Sequence, residues 1–347
     1  MNILQKFSMR ISLNKSSKKY NCIVIVLLLL LLIIGVFLSI SIGSSRISLG
    51  DIVSCIFYGE NTSKTYQIIK FVRIPRTIAA ILSGCALSVS GVILQTILNN
   101  SLASPNIIGV NAGAGLFTIL MAVFFPSYIY FTPIAAFTGA LIAVLLVYFI
   151  AKKTGASRMT IVLSGIAVSS FIGAITDTVL TLCPDAAFSR TAFLIGGFSG
   201  VTMKSIGFSI WLIIIAVIAA LILSYDMNVL SLGDESAKAL GLNVPLYRFL
   251  FLILSALLAG SAISFSGLLG FIGLIIPHAA RFLIGYDNRV LIPVSALLGS
   301  VFTLFCDLLA RSLFSPFEIP VGIIMSFLGG PFFIYLLLKC KRRQIND

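Results

Sequence analysis

The sequence predicts an all-α membrane protein of about ten transmembrane helices, and three observations carry that prediction. Apolar residues make up 59% of the 347-residue chain and charged ones 10%, with a mean hydropathy of +1.12, whereas a soluble chain carries about 25% charged residues. Apolar runs recur at the roughly 20-residue length that crosses ~30 Å of hydrocarbon at 1.5 Å per residue. The basic residues behind the net charge of +13 lie between those runs and at the termini. They form no amphipathic or aromatic-studded face, which points to membrane orientation and away from nucleic acid.

Residues 1–20 hold Lys6, Arg10, Lys15, Lys18 and Lys19 with no acid, and read as a basic cytoplasmic arm. The apolar run Asn21–Ile42 is too long for a signal-peptide core and no A-x-A cleavage site follows it, so it reads as the first span. The predicted spans are 21–42, 66–97, 107–125, 132–151, 158–181, 205–224, 247–267, 270–285, 290–312 and 319–338. Together 21–338 form one polytopic domain, followed by a basic tail, 339–347. An even number of crossings puts both ends on one side. With the N-terminus cytoplasmic, the inner segments carry twice as many Lys and Arg as the outer ones, which supports both termini inside. The outer set is Arg46, Lys64, Lys70, Arg73, Arg76, Arg190, Lys204 and Arg311.

Span 2 and span 7 share a pattern. Gly84, Ser90 and Gly91 repeat the G-x5-S-G spacing of Gly260, Ser266 and Gly267, 176 residues further on. Span 2 runs outside to inside and span 7 the reverse, so the match points to an inverted repeat. The stretch Gly260–Arg289 is apolar yet rich in glycine, with Pro277 and the single histidine, His278. Those residues disfavour one continuous helix, so the stretch reads as two helices meeting at a bend.

Taken whole, the pattern G-x5-S-G-x-x-x-F-I-G-L-x-x-P-H-x-x-R-x-x-x-G-x-D-x-R closely resembles the FecCD/BtuC-like permeases of ATP-binding cassette importers for ferric siderophores, haem and cobalamin. The resemblance extends over roughly Ile47–Leu338, including E-x-P-V-G from Glu318 and G-x-P-x-F from Gly329. It implies spans 2–5 and 7–10 as inverted halves. It also implies a dimer, with an identical or paralogous second permease, moving a chelate by alternating access across the cytoplasmic membrane of a bacterium.

Several roles follow from that resemblance. Arg73 and Arg76 of FVRIPR lie three apart on one helix face, and with Arg311 they match the arginines that receive acidic residues of an extracellular substrate-binding protein. Their alternative reading is anchorage to lipid headgroups. Asn100, Leu102 and Pro105 match the N-P-L-A-x-P segment of the cytoplasmic gate, with Ser101 in place of its proline. Span 5 matches the helix that lines the pathway, which implicates Ser169, Ser170 and Asp177; a carboxylate at membrane depth is a functional candidate in any case. The alternative for Asp177 is a structural carboxylate capped by hydroxyls or by a neighbouring arginine. Asp307, four residues before Arg311, reads as an intrahelical pair. Leu232, Gly233, Asp234, Glu235, Ala239 and Gly241 resemble the L-G-E-x-A-x-x-L-G coupling segment that rests in the ATPase subunit. They read as a turn, a short helix and a glycine stop. Pro277, His278 and Arg281 read as structural at the inner end of span 8.

The six cysteines show no C-x-x-C spacing, and a lone histidine cannot build a metal site, so no metal is expected. No G-x-x-x-x-G-K-[ST] is present. The chain is therefore expected to bind no cofactor and to leave ATP to a partner ATPase. An ion-coupled secondary transporter is the rival class, though it would normally carry paired intramembrane acids. An intramembrane enzyme lacks a nucleophile and base.

Overall fold

The computed structural model describes residues 18–43, 64–155, 157–314 and 317–344. The basic arm up to residue 17, Arg46 and residues 345–347 of the tail lie outside them. Among the described residues there are helices and connections and no strand. The helices are α1 (Lys18–Ser41), α2 (Ile74–Ile97), α3 (Val110–Phe124), α4 (Thr132–Lys153), α5 (Arg158–Leu182), α6 (Ala187–Ile195), α7 (Met203–Ile222), α8 (Ser224–Ser231), α9 (Asp234–Ala239), α10 (Val244–Ser266), α11 (Ile272–Ile284), α12 (Asn288–Ser312) and α13 (Val321–Gln344). Seven of them are long and apolar enough to cross a membrane, while α3, α11 and the apolar part of α13 are shorter.

Helix α2 is the axis of the molecule. It enters through a short helix, Lys64–Ile68, and a π-helical turn, Ile69–Arg73, with Pro75 in its first turn, where a proline costs no intrahelical hydrogen bond. The wide π turn puts Ile69 and Arg73 on the same buried face. From Ser83 to Ile97 α2 is buried almost throughout, packed against α12, α10 and α11.

Glycines set how close these helices come. A Cβ at Gly84 would lie 2.2 Å from the carbonyl oxygen of Gly299 on α12, and one at Gly91 would lie 2.1 Å from that of Gly273 on α11. Gly113 of α3 and Gly139 of α4 meet in the same way, at 2.2 Å. Backbone-to-backbone packing of this kind is how helices associate where lipid supplies no hydrophobic driving force. Helices α2 and α12 run antiparallel, with Arg76 beside Asp307, Ser300 bonded to Ile81 and Gly84 against Gly299. Helix α1 runs parallel to α12, placing Gly35 beside Leu304 and Ser39 beside Arg311.

The bend predicted within Gly260–Arg289 is present. Helix α10 stops at Ser266, Gly267 turns the chain at φ +65°, and α11 starts after Phe271. Phe271 is itself left-handed at φ +67°, an uncommon state for an aromatic residue. It is held there by contact with α13, since a Cβ on Gly329 would fall 2.4 Å from its ring. Helix α11 has 13 residues, which span only ~20 Å.

Two expectations need correction. His278 does not end span 8 but sits mid-way along α11, its ring edge-on to Phe332 at 6.5 Å. The polar residues between predicted spans 6 and 7, read as a turn with one short helix, begin as a further helix, because Ser224–Ser231 continues beyond a break at Leu223 as α8.

Candidate functional site

Charged and amide side chains gather at the two ends of α2, Arg76 and Thr96, twenty residues and therefore ~30 Å apart. At the Arg76 end four elements meet. Arg76 donates through Nε to both oxygens of Asp307 at 3.0 and 3.2 Å, and through Nη1 to Glu318 at 2.6 Å. Arg311 pairs with the other side of Asp307 at 3.2 Å and donates to the hydroxyl of Ser39 at 2.9 Å. Arg73 donates to the carbonyls of Ile40 and of Ser41 at the end of α1. One fully buried carboxylate thus holds two arginines and joins α2 to α12. Glu318 adds the segment before α13, and Ser39 adds α1.

This placement alters what the sequence implied for these arginines. The expectation was of side chains open to a partner's carboxylates. Instead Arg73, Arg76 and Arg311 are only 4%, 7% and 3% exposed, and each is already engaged within the chain. The Asp307–Arg311 pair agrees with the intrahelical spacing, while the contribution of Arg76 to it was not anticipated.

The other end of α2 is organised by Asp234, the first residue of α9. Gly233, at φ +106°, turns the chain into α9, and Gly241, at φ +85°, turns it out. The expected turn, short helix and glycine stop are all present. Asp234 accepts from Arg248 Nη2 at 2.7 and 2.8 Å and from Arg158 Nη2 at 3.0 Å. Arg248 opens α10 and Arg158 opens α5, so α9 is tied to both. Burial by itself would raise the Asp234 carboxyl. The bond from Arg248 and the charges of Arg248 and Arg158 outweigh it and hold the group below its ordinary value. Leu232, Glu235, Ala239 and Leu240 are exposed around this anchored acid, while Ala237 faces inward.

Near the same end, Asn100 accepts from the backbone N–H of Leu102 at 2.9 Å, an Asx turn that leaves Asn100 and Leu102 exposed. The chain then buries Pro105 in a 3-10 turn, Pro105–Ile108, with Gly109 at φ +82° before α3. Helix α5 lies hard against this turn, since a Cβ on Gly165 would be 2.0 Å from the carbonyl of Ile107. On α5, Ser169 is half-buried and Ser170 is exposed. Asp177, towards the far end, pairs with Arg190 of α6 at 2.9 Å with both groups partly exposed, so the neighbouring-arginine reading of Asp177 has a partner. Pro277 is buried inside α11. Arg281 of α11 donates to Gln95 Oε1, and Gln95 donates to the carbonyl of Gly273 at 3.1 Å. No group of three or more His, Cys, Asp or Glu side chains suited to a metal occurs among the described residues.

Sequence reasoning missed Gln95, Ser39 and the anchoring roles of Arg158 and Arg248. Gln95 carried a signal, as an amide inside an apolar run. Arg248 carried another, as a cation just inside a predicted span.

A bundle of apolar helices packed backbone to backbone, with polar side chains gathered at both ends of its central helix, has the architecture of a polytopic membrane protein. The FecCD transport family model matches residues 31–339, and the chain belongs to that family. It is 36% identical over 305 residues to the Fe(3+)-citrate import system permease protein YfmD of Bacillus subtilis, covering 88% of this chain and 91% of that one. It is also 36% identical over 286 residues to the hemin transport system permease protein HmuU of Yersinia pestis, covering 79% and 84%. A solved structure described as an inward-facing conformation of a metal-chelate type ABC transporter superposes with a TM-score of 0.81 at 31% identity, covering 91% of this chain and 98% of the other.

Proposed function

We propose that the chain is the permease subunit of an ATP-driven importer that carries a ferric chelate, of the siderophore or citrate kind, across the cytoplasmic membrane of a bacterium. The observation that carries this reading is α9, a short helix flanked by exposed Leu232 and Leu240 whose first residue is tied to two spans. A secondary transporter has no use for such an element, whereas a permease driven by a separate ATPase needs one. Asp177 is paired with Arg190, which further weakens the ion-coupled alternative.

In this reading the chain crosses ten times, with α3, α11 and α13 completing the seven long spans and with both termini inside. Spans 2–5 and 7–10 are inverted halves. The packing of α2 on α12 and of α10 on α4 supports this, because the two pairs exchange when the halves do. Two copies, or this chain and a paralogue, face one another across α5. Ser169, Ser170 and Asp177 line the path, and Asn100 and Leu102 narrow its cytoplasmic end. The ATPase receives Leu232, Gly233, Glu235, Ala239 and Gly241, with Asp234 holding the segment from behind. Pro277, His278 and Arg281 shape α11. At the outer end an acidic residue of the binding protein reaches Arg76 by replacing Glu318, whose side chain is 34% exposed while Asp307 is enclosed. Lipid surrounds the rest, and ATP is used by the partner.

The relatives named for ferric citrate and hemin import set the cargo test. Proteoliposomes holding this permease with its ATPase and binding protein are offered ferric citrate, a ferric hydroxamate, haemin and cobalamin, each labelled. ATP-dependent uptake of a ferric chelate is expected. Uptake confined to haemin or cobalamin would reassign the cargo and keep the importer.

A further inference from the structure

We propose that Asn228 of α8 is a positioning residue that passes movement of the α8–α9 segment to α12 and α2, separately from the route through Asp234. Tyr225 and Asn228 are three residues apart and share one face of α8. Both grip the turn between α11 and α12. The Arg289 guanidinium lies over the Tyr225 ring, 4.9 Å from its centre. Asn228 Nδ2 donates to Asp287 Oδ1 at 2.7 Å. Its Oδ1 accepts from the backbone N–H of Asn288 at 2.9 Å and from Asn288 Nδ2 at 2.8 Å. Asn288 is 2% exposed, and the Thr96 hydroxyl near the end of α2 lies 3.5 Å from its Oδ1.

Asp287 is also the cap of α12, accepting from the backbone N–H of Arg289 at 3.1 Å. A displacement of α8 therefore pulls on the first residues of α12 and, through Asn288, on the last turn of α2. Helix α9 is fastened elsewhere, by Asp234 to α5 and α10. The two short helices thus form one lever held at two separate points to four spans. Only an amide fits the first point, where one atom must give a hydrogen bond to a carboxylate and the other must receive two. Breaking it leaves α9 in place for its partner but frees α12 and α2 from the stroke. Such a residue separates hydrolysis from transport without touching cargo or nucleotide.

This inference rests on the importer reading, and the experiment keeps their failures apart. The importer, assembled with its ATPase and binding protein in proteoliposomes, is assayed for ATP hydrolysis and for uptake of iron-labelled ferric citrate, ferric hydroxamate and haemin. Asn228→Ala is expected to hydrolyse ATP within about twofold of the parent complex while uptake per ATP falls by about tenfold. Asn228→Asp alone sets two carboxylates face to face and is expected to be as impaired. Joining it to Asp287→Asn restores one donor facing one acceptor and is expected to recover uptake per ATP, which a merely structural role would not require. Should Asn228→Ala accumulate poorly, this exchanged pair, compared with Asn228→Asp at matched protein level, decides the matter. Unchanged uptake per ATP in Asn228→Ala, or an exchanged pair no better than Asn228→Asp, overturns the inference alone. A parent complex that takes up none of these three cargoes and no labelled cobalamin overturns the importer reading and this inference with it.

Discussion

Asp307 is wholly buried between Arg76 and Arg311. Removing one partner from a buried ionic cluster leaves uncompensated charge and costs about 3–5 kcal/mol. Asp307→Asn should therefore lower the unfolding temperature of the purified protein strongly. Glu318→Gln should lower it far less, costing about 1 kcal/mol of stability or under, because that carboxylate is partly exposed. Equal effects would show that the two acids are equivalent. Asp234 gives a second prediction, this one with a pH sign. Its carboxyl is held below the ordinary value. The hold on α9 is therefore complete above the ordinary carboxylate range, ~4, and is lost only as pH falls through the lowered value. Uptake per ATP should stay flat from neutrality down to about pH 5 in the parent, while Asp234→Asn should be impaired throughout that range. Of these contacts, only Asp307–Arg311 was legible in the sequence, because four residues is a helical spacing. Arg76 meets Asp307 across 231 residues, and no local pattern encodes such a meeting. Asn228 looked like any polar residue of a loop.

At the scale of elements, the long helices could be read directly from their apolar runs, and the bend before α11 from its glycines. The misreadings came where polarity and helicity part company. Helix α8 is polar enough to pass for loop, yet Asp226 in its first turn favours the helix dipole and it forms a helix of eight residues. Helix α11 is shorter than a full span because Gly267, against Phe193 of α6, and the left-handed Phe271, against Gly329 of α13, use up residues in a turn. Close packing at Gly84 yields a sharp test. Gly84→Leu drives a side chain into the Gly299 carbonyl, 2.2 Å from where its Cβ would be, and overpacking costs about 1–3 kcal/mol or more. Loss of the folded fraction on size exclusion is expected, and a stable, monodisperse variant would contradict the helix contact. On α9, Ala239 is exposed, so Ala239→Trp should leave folding intact while weakening co-purification of the ATPase. Undiminished co-purification would remove α9 from that interface.

At the scale of the whole molecule, the proposed function gives path and levers to the bundle and the supply of energy to a separate ATPase. Family membership fixes the class of machine. The paired clusters ~30 Å apart give each end of α2 its own fastening. The sequence could not reveal that the outer arginines are turned inward, because exposure depends on the packing of α1, α12 and the segment before α13. The most direct measurement compares energy sources in proteoliposomes. The chain is reconstituted alone under an imposed proton or sodium gradient, and in parallel with ATPase, binding protein and internal ATP. Accumulation of labelled ferric chelate only in the second preparation is the predicted result. Uphill accumulation by the chain alone on an ion gradient would contradict it.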